Sequence, residues 1–317
     1  MFDEIKNLQV FPNGEMSNED YRAHEAVSGS DLVSIWSTCP AQYRYGEKQE
    51  SKALLFGTAS HTCLLEPEKF DSMYYCAPSK EGDDVITSDA AMKAELKSLG
   101  IPVKSTAKFE ELSELYQQSG MTKRYLKLEM LLAEQKAESE GKEIIQHSDF
   151  ETVRQMREVI HGNEMYAELL RDAYVETSII AEVRVDDRWF NVKIRPDIIT
   201  HDFSVPDYKT VADMRRFPLQ AHDSGYWLKM AFQHDVLKAA YPDSGYPRMG
   251  FFAQDKKSPY IPQLFWMTGK EIEVGREQYI GALIMHKTCS DSDCWPAYYD
   301  EAVDLPTPEW LEKRYNF

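Results

Sequence analysis

From Tyr174 onward the chain reads VETSIIAEVRV, RWFNVKIRPDIIT and FSVPDYKT, three stretches rich in β-branched and aromatic residues, parted only by Asp186-Asp187 and His201-Asp202. Short polar turns between such runs predict an antiparallel meander. Strands that pair this locally commit the flanking helices to covering a sheet rather than forming a bundle. Downstream, YWLKMAFQHDVLKAA (226–240) reads as a helix, RMGFFAQD and IPQLFWMT as two more strands, and Lys270 to about His286 as a long helix before a tail that wraps the surface. Upstream, Ser28-Gly29-Ser30 supplies an N-cap for a helix carrying Leu32, Ile35, Trp36 and Cys39, which Pro40 stops. A second helix is expected from about Lys52 to Glu66, with Leu54, Leu55, Ala59, Leu64 and Leu65 on one broad face and Pro67 behind it. Helices, then a mixed sheet, then a crossover helix and more sheet predict an α/β (α+β) fold, a central mixed sheet flanked by helices.

Residues 1–27 are polar, with Pro12, Asn13 and Gly14 as turn markers, and read as an irregular lead-in. Residues 79–141 carry three helical stretches near 88–99, 106–118 and 122–140, closed by Gly100, Gly120 and Gly141. Each is short with a narrow apolar face, so the segment reads as a helical insertion within one domain spanning 1–317. A helix pair is expected from Ser148, with Glu151 placed for a capping box, to about Arg171.

The densest chemistry lies in IRPDIITHDFSVPDYKT. Side chains alternate along a strand, so Asp207 and Lys209 share a face and Tyr208 points the other way. The His-Asp turn folds Asp197 back beside Asp207, and Arg195 shares the parity of Asp197. Hard cations such as Mg²⁺ take oxygen ligands, often one or two carboxylates plus substrate phosphate. A nearby lysine then orients the attacking water and offsets charge in the transition state. Taken alone, Asp-x-Lys reads as a cross-strand ion pair on a surface hairpin, and it is Asp197 ten positions upstream, after Arg-Pro, that opens the metal reading.

Arg195-Pro196-Asp197 followed by Asp207-Tyr208-Lys209-Thr210 resembles the motif of PD-(D/E)xK nucleases, whose core is that of the restriction endonucleases. Within them the chain is similar to the RecE (exonuclease VIII) branch of phage and prophage exonucleases. SGSDLVSIWSTCPAQYRY, LLFGTASHTCLLEPEKF with its G-x-x-x-H-x-x-x-L-E-P pattern, VETSIIAE, the GYWLKMAFQHDVLKAAY helix and SDCWPA fit the same branch. The resemblance implies a Mg²⁺-dependent exonuclease, with Mn²⁺ able to substitute, that digests double-stranded DNA ends 5′→3′ and leaves 3′ single strands for recombination. It implies Asp197, Asp207, the Tyr208 carbonyl and His61 as metal ligands, Lys209 as catalytic lysine and Glu182 as the acidic residue on the neighbouring strand. It further implies DNA contacts from Arg195, Tyr226, Lys229 and Gln233, a homo-oligomeric ring, plausibly tetrameric, and a single-strand annealing partner of the RecT kind. The branch's helix reads Tyr-x-x-Gln with a Tyr four residues on; here Lys229 replaces the Gln and Gln233 the Tyr.

Composition sets the rival readings. A formal net charge of −17 opposes nucleic-acid binding unless basic groups or divalent ions gather locally. Lys193, Arg195, Lys209, Arg215, Arg216 and Lys229 are the candidates for such a channel. A site- or structure-specific endonuclease on the same core, or a non-catalytic phage protein that binds a host defence or recombination factor, are the alternatives. Five cysteines without a CxxC pair, no signal peptide and no long apolar run lead to the expectation of a cytoplasmic protein without membrane contact. Cys39, Cys289 and Cys294 lack the spacing of an iron–sulfur site, and neither a zinc-hydrolase pair nor a Walker loop is present.

Overall fold

The computed structural model describes residues 2–47 and 51–315. In chain order its main elements are β1 (Glu4–Phe11), α1 (Gly29–Ser37), α2 (Lys52–Leu65), α3 (His147–His161), β2 (Tyr174–Val175), β3 (Ser178–Val185), β4 (Arg188–Ile194), β5 (Ile198–Ile199), β6 (Ser204–Val211), α4 (Tyr226–Ala240), β7 (Arg248–Asp255), β8 (Pro262–Trp266) and α5 (Gly269–Ser292). The fold is mixed α/β. Four strands form one sheet in the order β1, β3, β4 and the short Val27–Ser28 pair, and a second sheet runs β6, β7, β8. Between them β5 pairs antiparallel with β2.

The β3–β4 hairpin forms as its pattern predicts, with Asp186 at positive φ in the turn. The meander does not continue. β6 pairs parallel with β7, with Asp207 opposite Phe251 and Lys209 opposite Ala253, because α4 returns the chain as a crossover. The turn before β6 is still tight: Phe203 sits at φ 60° and the Thr200 N–H donates to the Ser204 carbonyl at 2.9 Å. Both parallel strands are almost wholly buried, as strands covered by helices must be.

Residues 1–27 are not an irregular lead-in. Glu4–Phe11 pairs antiparallel with β3 despite a register break between Lys6 and Gln9, and a short helix spans Asn18–Ala23. Ser28 caps α1 through a full capping box with Asp31. The expected box at Ser148 and Glu151 is absent: α3 starts at His147 from Gln146 without a side-chain cap. The insertion helices lie at Asp89–Ser98, Phe109–Ser119 and Leu126–Glu140, around Ile86, Met92, Leu96, Leu112, Tyr125 and Leu128. Two parallel ladders, Tyr74–Cys76 with Glu143–Ile145 and Val85–Ile86 with Arg124–Tyr125, close the base of that segment. Its termini are thereby held together. The long helix α5 runs beyond His286 to Ser292, and the tail after it stays exposed.

α4 is locked to α5 by a buried charge. Asp235 accepts from Arg276 Nε at 2.6 Å and Nη2 at 2.8 Å, from the Tyr279 hydroxyl, and from His234 Nδ1 at 2.7 Å. Burial by itself would raise its pKa, but the bonds from Arg276, His234 and Tyr279 outweigh it and hold the carboxyl well below the usual range. Asp235→Ala leaves the guanidinium and hydroxyl without their acceptor, so the expected loss is ~3–5 kcal/mol in denaturant unfolding. Because the folded pKa is depressed, this contribution is present above pH ~4 and is lost as pH falls below it. The acid limb of a stability–pH curve is therefore expected to be shallower in Asp235→Asn than in the wild type.

Candidate metal centre

Asp197 closes the short β5 segment from its N-terminal side, directly after Pro196. Its carboxylate is turned inward, and Oδ2 accepts the Tyr208 N–H at 2.8 Å. Helix α2, packed on β6, delivers His61: its Nε2 lies 3.0 Å from the same Oδ2 and 3.4 Å from Glu176 Oε1. Glu176 follows β2, and its N–H donates to the Asp197 carbonyl at 3.1 Å. Its backbone takes a left-handed φ of 49°, rare for a residue with a Cβ. That local turn brings its carboxylate against Asp197 rather than along the strand. One ligand atom from each of His61, Glu176 and Asp197 lies within 4.8 Å of the others.

One strand away, Asp207 and Lys209 share a face as alternation requires, and the lysine ammonium contacts Asp207 Oδ2. Lys229, reaching from α4, donates to Asp207 Oδ1 at 2.8 Å. The Lys209 ammonium also approaches the Tyr208 carbonyl at 3.2 Å and lies 5.4 Å from the Tyr226 ring. On the opposite face the Tyr208 hydroxyl donates to buried Gln254 at 2.7 Å, which anchors the strand in the core. Gln233, one turn beyond Lys229, is buried; its Nε2 donates to the Arg195 carbonyl at 3.4 Å and its Oε1 has no partner.

Several of the expected placements differ: of the expected DNA contacts, Lys229 turns its ammonium onto Asp207 and Gln233 is buried. Glu182 does not join the centre: its carboxylate is held by Asn7 and by Lys6 at 3.2 Å on the β1 side of the sheet, and Glu176 takes the place expected of it. The two acids lie six residues apart, Glu176 just ahead of β3 and Glu182 within it, and the left-handed turn at 176 sets the first apart from the strand. Arg195 does not face outward for DNA. Its guanidinium is largely buried, donating to Ser178 Oγ at 2.8 Å and to the Met16 and Ser17 carbonyls, with the Tyr21 ring beneath it. Lys193 likewise donates to the carbonyls of Tyr21 and His24, both at 2.7 Å, and is no part of a channel wall. Arg215 and Arg216 are exposed in the turn after β6.

Residues 36–305 match the model of a family described as a PDDEXK-like domain of unknown function (DUF3799). The chain belongs to this family. Among solved structures, the putative exonuclease of Eubacterium rectale superposes with a TM-score of 0.50 at 11% identity, covering 93% of this chain and 96% of that one. The structure of SSO0001 matches at a TM-score of 0.26 and 13% identity, covering 71% of this chain and 84% of that one. No curated protein sequence matches. Among the described residues no helix is long and apolar enough to cross a membrane.

The electrostatics of this PDDEXK-like centre suit a divalent cation. Two carboxylate oxygens and one imidazole nitrogen form a hard, oxygen-dominated donor set. For His61, burial opposes the charged form, but Asp197 and then Glu176 outweigh it and lift the pKa to about 8. Burial, resisted by His61, raises Glu176 to about 7. Burial also works against the charge on Asp197, yet His61 and the two lysines keep it ionised, well below the usual carboxylate range. An incoming cation must therefore displace protons that His61 and Glu176 hold near neutrality. Calorimetric titration with Mn²⁺ is expected to show affinity rising between pH 6 and 8.5, with proton release detectable as a buffer-dependent enthalpy. Glu176→Gln is expected to weaken uptake by about 10-fold or more, given that even outer-shell partners are worth 10- to 100-fold. Glu182→Gln is expected to leave uptake unchanged.

Proposed function

We propose that this protein is a Mg²⁺-dependent deoxyribonuclease acting on double-stranded DNA ends, degrading 5′→3′ to leave 3′ single strands. The observation that carries the reading is the convergence of His61, Glu176 and Asp197 one strand away from Asp207 and Lys209. The family, and the exonuclease name of the structural neighbour, support it. The ion that His61, Glu176 and Asp197 would hold lowers the pKa of a water and offsets charge on the phosphoryl oxygens. Lys209, fixed against Asp207, orients the attacking water and lends its charge to the phosphate in flight. In hydrolysis the water oxygen bonds to phosphorus as the phosphorus–oxygen bond to the next nucleotide breaks. One proton leaves the attacking water and one ends on the departing oxygen.

The acidic surface does not block this reading. Exposed Arg215 and Arg216 follow β6, exposed Lys257 follows β7, and the two strand ends are joined by the Lys256 N–H on the Val211 carbonyl at 3.0 Å. Basic groups thus gather at the strand ends beyond Lys209, where local field rather than net charge governs phosphate contact. A ring of several copies around the duplex, working with a single-strand annealing protein, belongs to the same proposal.

The test uses 5′-labelled linear duplex beside a covalently closed circle, with Mg²⁺. Wild type is expected to release mononucleotides or short fragments from the linear form and to spare the circle. Asp197→Asn and Asp207→Asn are expected to lose at least about 100-fold in rate. A cut circle converts the reading to an endonuclease. Equal behaviour of wild type and both variants favours a non-catalytic binding protein.

A further inference from the structure

Asp207 is only 2% exposed, and both of its oxygens are already taken, Oδ2 by the Lys209 ammonium and Oδ1 by that of Lys229. A carboxylate that serves two cations about 4 Å apart needs an oxygen free toward the second ion. Among the described residues, His61, Glu176 and Asp197 form the one group of three or more His, Cys, Asp or Glu side chains whose ligand atoms lie within 4.8 Å of one another. The Lys229 stem packs against α1 at Gly29, where a Cβ would lie 3.0 Å from Lys229 Cγ and 3.5 Å from Phe232 Cδ1, so the absence of a side chain at Gly29 is what lets the ammonium reach Asp207. Resting on the nuclease reading, we propose that this centre works with one divalent cation, held by His61, Glu176 and Asp197, and that the Lys229 ammonium permanently occupies the place beside Asp207 that a second cation would need.

Charge compensation supports the same assignment. The carboxylates of Glu176, Asp197 and Asp207 already face three fixed cations in Lys209, Lys229 and Arg195. Glu66, the next acid along α2, is engaged by Lys69. One divalent ion leaves a double positive charge for the scissile phosphate and its neighbour. A second ion would add two more positive charges with no further anion to balance them, which a largely desolvated pocket makes expensive.

The count of ions decides this. The full chain is saturated with Mn²⁺, alone and on a duplex whose ends carry uncleavable phosphorothioate linkages, and read by calorimetry and electron paramagnetic resonance. One ion per chain with an uncoupled six-line spectrum is expected in both states. Two spin-coupled ions per chain in either state would overturn the proposal. No bound ion would instead remove the metal-dependent reading beneath it, an outcome distinct from two. Lys229→Gln, neutral and of similar length, is expected to admit a second ion on the duplex, and a folded variant that still takes one ion also counts against the proposal. Where that variant does not fold, the wild-type count stands as the deciding measurement.

Discussion

A single buried oxygen holds the centre together. Asp197 Oδ2 accepts the backbone N–H of Tyr208 and, from the other side, faces His61 Nε2. The first bond fixes the strand that carries Asp207 and Lys209 relative to Asp197; the second fixes α2 against the same point. His61 is far from Asp197 in sequence, so the full contact exists only once β5, β6 and α2 have packed. A buried carboxylate is costly without such partners, and His61, with Lys209 and Lys229, outweighs the burial and keeps it ionised. Stability and chemistry therefore draw on one interaction, and substitutions at Asp197 disturb both.

The lysines on Asp207 complete the logic from the neighbouring strand. Lys209 comes from β6 itself and Lys229 from the crossover helix that makes β6 and β7 parallel. Had the chain continued as a meander, no helix would arrive at that face and the second ammonium would be missing. The parallel crossover is thus more than connectivity: it delivers a charge to a buried acid. The Asp235 lock between α4 and α5 holds that helix from behind.

Much of this was legible in the sequence, and what was not has specific causes. Alternation along FSVPDYKT placed Asp207 and Lys209 together, and the N-cap at Ser28 and the α2 helix with His61 follow from local pattern alone. Glu176 was hidden because a positive φ takes it out of the alternation that strand reasoning uses, and the family resemblance pointed to Glu182 instead. β1 was hidden for a related reason: EIKNLQVF is polar, mostly exposed and interrupted by Asn7 at φ 52°, so no clean period survives. The parallel pairing of β6 could not be read locally, since its partner lies some forty residues downstream.

Arg195 and Lys193 show why a basic residue next to a nucleolytic motif is not thereby a DNA ligand. Backbone carbonyls between Met16 and His24 need donors once that segment packs under the sheet, and these two side chains supply them. The segment lies ahead of the matched family region, which begins at residue 36. Two cations adjoining the centre are therefore committed to anchoring it, and the chain as a whole stays strongly acidic. On the proposed reading, attraction for a phosphodiester would come from an ion held by His61, Glu176 and Asp197, from Lys209 and from the exposed basic groups beyond the strand ends. Such a field is short-ranged: at physiological ionic strength it fades within about 8 Å. On the same proposed reading, a polyanion would meet repulsion over most of this acidic surface and attraction at the mouth of the centre.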